Sequence, residues 1–192
     1  MSFVTFITPT LNRPSLKKTL TSLLNQLDSD WSSIVIGDGC KPTHHIEDKR
    51  IFYMGTEKVA GGAGVVRNQV LKIATSQSDW VAFVDDDDFL DRTYVSEIRK
   101  LSNDYDLIQF TYKDIENGNT QPPPNLNHLV SCNFGISFAV RSSLVEKFNI
   151  KFITGGVEDY QFLQDCLDAG ARYIITHKIL YFVGHRSAWA GG

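Results

Sequence analysis

The sequence has little that suits a membrane, a nucleic acid or an oxidising compartment. Over 192 residues the net charge is only −3, so no basic excess is available to cover a phosphate backbone, and no nucleic-acid partner is expected. No apolar run approaches the roughly 20 residues that cross a bilayer, and no transmembrane segment is expected. The opening MSFVTFITPTLNRP carries neither a basic flank nor a cleavage site, so it reads as a first strand and not as a leader. Cysteine is scarce: Cys40, Cys132 and Cys166 are odd in number and far apart. They form neither a disulfide framework nor a zinc site, and free thiols point to the cytoplasm. The GxxxxGK[ST] phosphate loop is missing. Gly62-Ala63-Gly64 supplies only half of GxGxxG, with Arg67 in the place of the third glycine, which weakens a dinucleotide site. The DxDx[ST] that strand-end phosphatases carry on a first strand is missing too.

What is present is a composition of 42% apolar and 21% charged residues, enough apolar side chain for one domain over residues 1–192. Residues 3–8 are strand-like and stop at Pro9. Leu16, Leu20, Leu23, Leu24 and Leu27 then recur at helical spacing, entered through Pro14 and Ser15. Short strands are expected at 33–36 and 50–54. A second helix carrying Val66, Val70, Ile73 and Ala74 follows Gly61-Gly62-Ala63-Gly64, and 80–84 is a wholly apolar strand. This alternation predicts an α/β fold with a largely parallel sheet flanked by helices. Beyond it, Asp91 is placed to cap a helix bearing Tyr94, Val95, Ile98 and Leu101. Residues 107–112, 134–140, 173–176 and 179–183 read as strands, and 142–148 and 158–167 as helices. Tyr105, Phe110 and Tyr112 read as core, and His44-His45 as a solvated pair.

Three of the predicted strands end in polar segments: Pro9-Thr10-Leu11-Asn12-Arg13, Gly37-Asp38-Gly39, and Asp85 to Asp88 in WVAFVDDDDFLD. Ligands of open α/β sheets sit beyond the carboxyl ends of the strands, so parallel neighbours bring these segments to one crevice. A solvated acidic turn capping the next helix is the plainer account of four aspartates. The apolar strand that delivers them favours a ligand. Hard carboxylate oxygens suit Mg²⁺ or Mn²⁺ shared with substrate phosphates. In extended chain Asp85 and Asp87 share one face and Asp86 and Asp88 the other, one face for metal and one for hydroxyls.

Taken in order, these segments resemble family-2 glycosyltransferases of the GT-A fold. FITPTLNRPSLKKTLTSLLNQ is similar to that family's first strand, P-T-x-N-R turn and helix. IVIGDGC is similar to its second strand and D-D-G-S turn, GGAGVVRNQVLKIA to its G-x-x-x-x-R-N helix, WVAFVDDDDFLD to its DxD segment, and GGVEDYQFLQDCLDAGARYIIT to its G-x-E-D helix. Each match is weak alone, but five in order over nearly the whole chain are specific.

The resemblance implies a GT-A domain with a Rossmann-like, mostly parallel central sheet. Its nucleotide-binding half covers about 1–90 and its acceptor half about 91–192. It implies inverting sugar transfer from a nucleotide diphosphate sugar, a UDP-sugar above all, to a glycan or other hydroxyl acceptor, with Mn²⁺ or Mg²⁺ as cofactor. Carried over by position, Pro9, Thr10 and Arg13 line the nucleoside pocket. Asp38 contacts the base, Arg67 the base or diphosphate, and Asp86 the ribose. Asp87 binds the metal with Asp85 nearby, Asp159 is the general base, and Glu158 orients it or the acceptor. His185 is a candidate metal ligand or phosphate contact, Arg186 a diphosphate contact and Trp189 a stacking residue. Residues 113–132 are the expected acceptor rim.

The chain departs from the pattern at Gly37, where the family often has an aspartate, and at Cys40, in place of serine. Asp159 opens a helix whose dipole lowers its basicity, while burial and Glu158 raise it. Two other functions stay open on the sequence: a nucleotide-sugar-binding module without transfer, and a metal-dependent nucleotide-sugar hydrolase.

Overall fold

A computed structural model describes residues 1–57, 61–131 and 133–184. β1 (Ser2–Thr10) is buried from Phe3 onward. α1 (Leu16–Leu24) turns Leu16, Leu20 and Leu23 fully into the core, each such burial being worth about 1.5–3 kcal/mol. Leu27, predicted on the same face, lies beyond the helix end and is 61% exposed. β2 (Trp31–Gly37), β3 (Ile51–Gly55), α2 (Ala63–Gln77) and β4 (Ser78–Phe83) complete the first half. Here the sheet runs β3-β2-β1-β4 with every pairing parallel. The helices cover its faces, which is why β1 and β4 are apolar on both sides.

Past β4 the sheet becomes mixed. The remaining elements are β5 (Phe89–Leu90), α3 (Tyr94–Leu101), β6 (Leu107–Asp114), β7 (Thr120–Gln121), β8 (Phe138–Arg141), α4 (Ser142–Phe148), α5 (Glu158–Asp168) and β9 (Tyr173–Val183). The order continues β4-β8-β6-β9-β5, with β7 hairpinned onto β6. β8 runs antiparallel to both β4 and β6, and β9 runs parallel to β6. The wholly parallel part of the sheet is therefore the first four strands, and β6 with β9 adds one parallel pair in the mixed half. The two strands predicted at 173–176 and 179–183 are one. His177 and Lys178 form a bulge where the pairing jumps from Phe110↔Thr176 to Thr111↔Ile179, and the strand bends there instead of ending.

Phe110 is fully buried, while Tyr105 and Tyr112 pack half-buried against the core. His45 is not merely solvated: its ring stacks on Tyr53 at 4.2 Å. No helix among the described residues is long and apolar enough to cross a membrane.

Candidate active site

The register brings the three polar segments together. Thr10 at the end of β1 pairs with Gly37 at the end of β2, and Asp38 N–H donates to the Thr10 carbonyl at 2.8 Å. On the other side Val84 N–H donates to the Ile7 carbonyl at 3.2 Å, so the aspartates emerge directly beside the Thr10 turn.

The four aspartates do not alternate between two faces as extended chain predicts. Asp88 N–H closes onto the Asp85 carbonyl at 3.1 Å, a turn that fans the carboxylates apart. Asp86 is buried. Its Oδ2 accepts from Thr10 Oγ1 at 2.6 Å and from Leu11 N at 3.3 Å. Arg13 Nη1 donates to Asp86 Oδ1 at 3.3 Å and to Asp87 Oδ2 at 2.8 Å. Burial and the neighbouring Asp85 and Asp86 push Asp87 up to about 6. Asp88 faces away from Asp86. Its buried carboxylate accepts from Tyr181 Oη at 2.6 Å and Gly184 N at 2.8 Å, and burial raises its pKa. Asp88 is thus a fastening between the turn and β9, not a face for hydroxyls.

Arg67, placed by α2, is 2% exposed. Its guanidinium meets Asp85 Oδ1 at 2.5 Å, Glu158 Oε1 at 3.1 Å and Asp159 Oδ1 at 3.6 Å. Burial opposes its charge, but Asp85, Asp159 and Glu158 hold its pKa above the ordinary value. α5 delivers Glu158 and Asp159 from its first turn. The helix dipole loses to burial at Asp159, whose pKa rises to about 7, with Arg67 pulling it down and Asp85 pushing it up. Glu158 is raised by burial too, and Gly64 N–H donates to it at 3.0 Å. Gly64 is required there, because a Cβ would sit 2.6 Å from Glu158 Oε2 and 2.8 Å from Phe152 Cβ. Asp159 Oδ1 is buried without a hydrogen bond. A cavity of about 170 Å³ lies between Asp85, Asp88, Asp159, Ser137, Tyr112 and Tyr181, so the predicted base and one predicted metal ligand share a wall as well as a guanidinium.

At the ends of β1 and β2, Pro9, Thr10 and Asp38 are buried. Gly37 departs from the family pattern for a steric reason: a Cβ there would lie 2.1 Å from the Cys40 carbonyl oxygen. Asn12, at φ 63°, bonds Thr43 through both its amide nitrogen (2.9 Å) and its oxygen (2.7 Å).

The structure brings together Thr10, Arg13, Asp86 and Asp87 in one cluster, and Arg67, Asp85, Glu158 and Asp159 in a second. Arg67 lies among carboxylates rather than at the strand-end turns with Pro9 and Asp38. His185, Arg186, Trp189 and Cys132 lie outside the described residues. Sequence reasoning missed Tyr181, Gly184 and Gly64. Gly184 matters because a Cβ would meet the Asp87 carbonyl oxygen at 1.8 Å. The signal for it was a glycine directly after a strand; its partner was invisible.

Among the described residues no group of three or more His, Cys, Asp or Glu side chains is placed to hold a metal ion. The donor set still fits a divalent ion that takes its other ligands from phosphate and water. Five carboxylates, Asp85, Asp86, Asp87, Glu158 and Asp159, meet two guanidinium groups here. Burial and mutual repulsion already raise Asp87, a strain that a cation relieves.

A family model described as Glycosyl transferase family 2 matches residues 5–172. The chain belongs to glycosyl transferase family 2. Solved structures agree on the GT-A fold. Residues 1–349 of S. aureus TarS, crystallised with UDP-GlcNAc, superpose with a TM-score of 0.79 at 21% identity, over 98% of this chain and 60% of that one. The same fragment with UDP gives 0.73 at 23% identity over 94% and 60%. A TarS structure of which this chain covers 37% gives 0.77 at 21% identity. This family 2 chain therefore spans about 60% of the length of the shorter TarS chains. No curated protein matches its sequence.

Proposed function

We propose that this chain is a metal-dependent inverting glycosyltransferase that moves a sugar from a UDP-sugar to an acceptor hydroxyl. Residues 1–192 act as one unit, with nucleotide recognition up to about residue 90 and acceptor recognition beyond it. The observation that carries the reading is the pairing of Asp85 with Asp159 across Arg67 and one cavity, in a chain of this family. UDP and UDP-GlcNAc in the TarS structures support the choice of nucleotide.

Pro9, Thr10 and Asp38 hold the nucleoside at the ends of β1 and β2. Asp86, fixed by Thr10 and the Leu11 amide, presents its carboxylate to the ribose. Asp87, with Asp85, would hold Mn²⁺ or Mg²⁺, whose charge would offset that of the departing diphosphate. Asp159 Oδ1 accepts the proton of the acceptor hydroxyl as it attacks from the side opposite the leaving group. Such a base contributes about 10²–10⁴-fold when placed within hydrogen-bond reach. Glu158, tied to the Gly64 amide and Arg67, fixes the helix end that carries Asp159. The acceptor rim is assigned to residues 113–132, of which Cys132 lies outside the described residues.

The test is release of nucleoside diphosphate from a panel of UDP- and GDP-sugars with Mn²⁺, with and without candidate acceptors. Acceptor-dependent release from a UDP-sugar supports the reading. Release indifferent to every acceptor makes the chain a hydrolase, and binding with no release makes it a binding module.

A further inference from the structure

We propose that in the donor-free protein Arg13 takes the place of the cation on Asp87, so that metal and nucleotide bind as a coupled pair. The inference rests on the reading above, in which Asp87 is a metal ligand.

Arg13 was expected among the nucleoside contacts. In the structure its Nη1 bridges Asp87 Oδ2 at 2.8 Å and Asp86 Oδ1 at 3.3 Å. The two carboxylates differ in freedom. Asp86 is 2% exposed and holds Thr10 and Leu11 through its second oxygen, so it is fixed. Asp87 is 17% exposed and Arg13 15%, so theirs is the contact at the mouth. The backbone aims the guanidinium there. Asn12 is held in the left-handed region and pinned to Thr43, and Pro14 restricts the chain on the other side.

A guanidinium on Asp87 does what a divalent ion would do there: it screens a half-buried carboxylate from Asp85 and Asp86. Both cannot sit on that carboxylate without repelling each other. A diphosphate offers Arg13 another partner, since its oxygens suit the planar fork. The nucleotide therefore draws Arg13 off Asp87 and opens the carboxylate to the ion. By linkage each ligand raises the affinity of the other by the same factor.

The experiment is Mn²⁺ binding to the whole chain, by calorimetry and by the resonance of free Mn²⁺, with and without saturating UDP. Wild type is expected to bind Mn²⁺ weakly alone and about tenfold or more tightly with UDP, within the usual range of such couplings. Arg13→Gln is expected to bind Mn²⁺ alone about tenfold more tightly than wild type, and its gain from UDP is expected to shrink to the part that phosphate ligation of the ion supplies. Arg13→Lys keeps the charge and is expected to stay near wild type for Mn²⁺ alone.

Unchanged or weaker Mn²⁺ affinity in folded Arg13→Gln overturns the inference, as does equal Mn²⁺ affinity of wild type with and without UDP. The second comparison needs no variant and stands if Arg13→Gln does not fold. Wild-type Mn²⁺ affinity in Asp87→Asn, or no Mn²⁺ binding by wild type with UDP, instead defeats the metal assignment on which the inference rests.

Discussion

Asp159 shows how one carboxylate becomes suited to take a proton near neutrality. Burial raises it to about 7 against the pull of Arg67, so it is half ionised there. In the proposed mechanism the ionised form is the base, and transfer is expected to rise with pH through about 7 and level off above. A profile that falls across that window assigns the base elsewhere. Asp159→Asn is expected to leave UDP affinity intact and to lower transfer by about 10²–10⁴-fold; wild-type turnover in that variant removes Asp159 from the mechanism. Arg67 is legible in the sequence only as the arginine of a motif. Its three carboxylate partners come from the turn after β4 and from the first turn of α5. Gly37 was legible as a departure, but its reason was not, because the Cys40 carbonyl reaches it only once the turn is folded. Gly37→Asp is expected to destabilise the fold by about 1–3 kcal/mol through overpacking, measured by urea unfolding, and not to add a nucleotide contact.

Between elements, the turn after β4 is fastened to β9 by Asp88, Tyr181 and Gly184. Thr19 of α1 adds a bond to the Asp88 carbonyl at 2.6 Å. Asp88→Ala strips a partner from a buried hydroxyl and a buried amide and is expected to cost about 2–6 kcal/mol, at about 1–3 for each group. Because burial raises the Asp88 pKa above its ordinary 3.8, the folded state keeps a proton that the unfolded chain has released. This carboxyl's contribution to stability therefore declines as pH climbs above about 4, through the window up to its folded value. Asp88→Asn is expected to flatten stability against pH across that window. An unaltered slope assigns the pH dependence to other groups. The helices α1, α4 and α5 were legible from apolar spacing and breakers. β9 was divided in two because its bulge looks like a turn until β6 lies beside it.

Across the whole molecule, the sheet joins a parallel half that carries the strand-end turns to a mixed half that carries Asp159 and Tyr181. Ligands that bridge the halves stabilise both. UDP with Mn²⁺ at about 100 times the dissociation constant is expected to add about 2.7 kcal/mol, or a rise in Tm of roughly 5–11 °C for a chain of this size. No shift with either UDP or GDP counts against a nucleotide site. The sequence by itself determined the α/β class, the strand-end position of the acidic run and the candidate roles of Asp87 and Asp159. Apolar periodicity, glycine breaks and motif order are local properties that a chain carries before it folds. Only the tertiary structure decided which carboxylate faces which partner. The turn at Asp85–Asp88 breaks the two-residue alternation, and Arg13, Arg67 and Tyr181 reach these acids from other elements. Ion pairing and burial depend on distance in space, and the spacing of residues along the chain does not contain it.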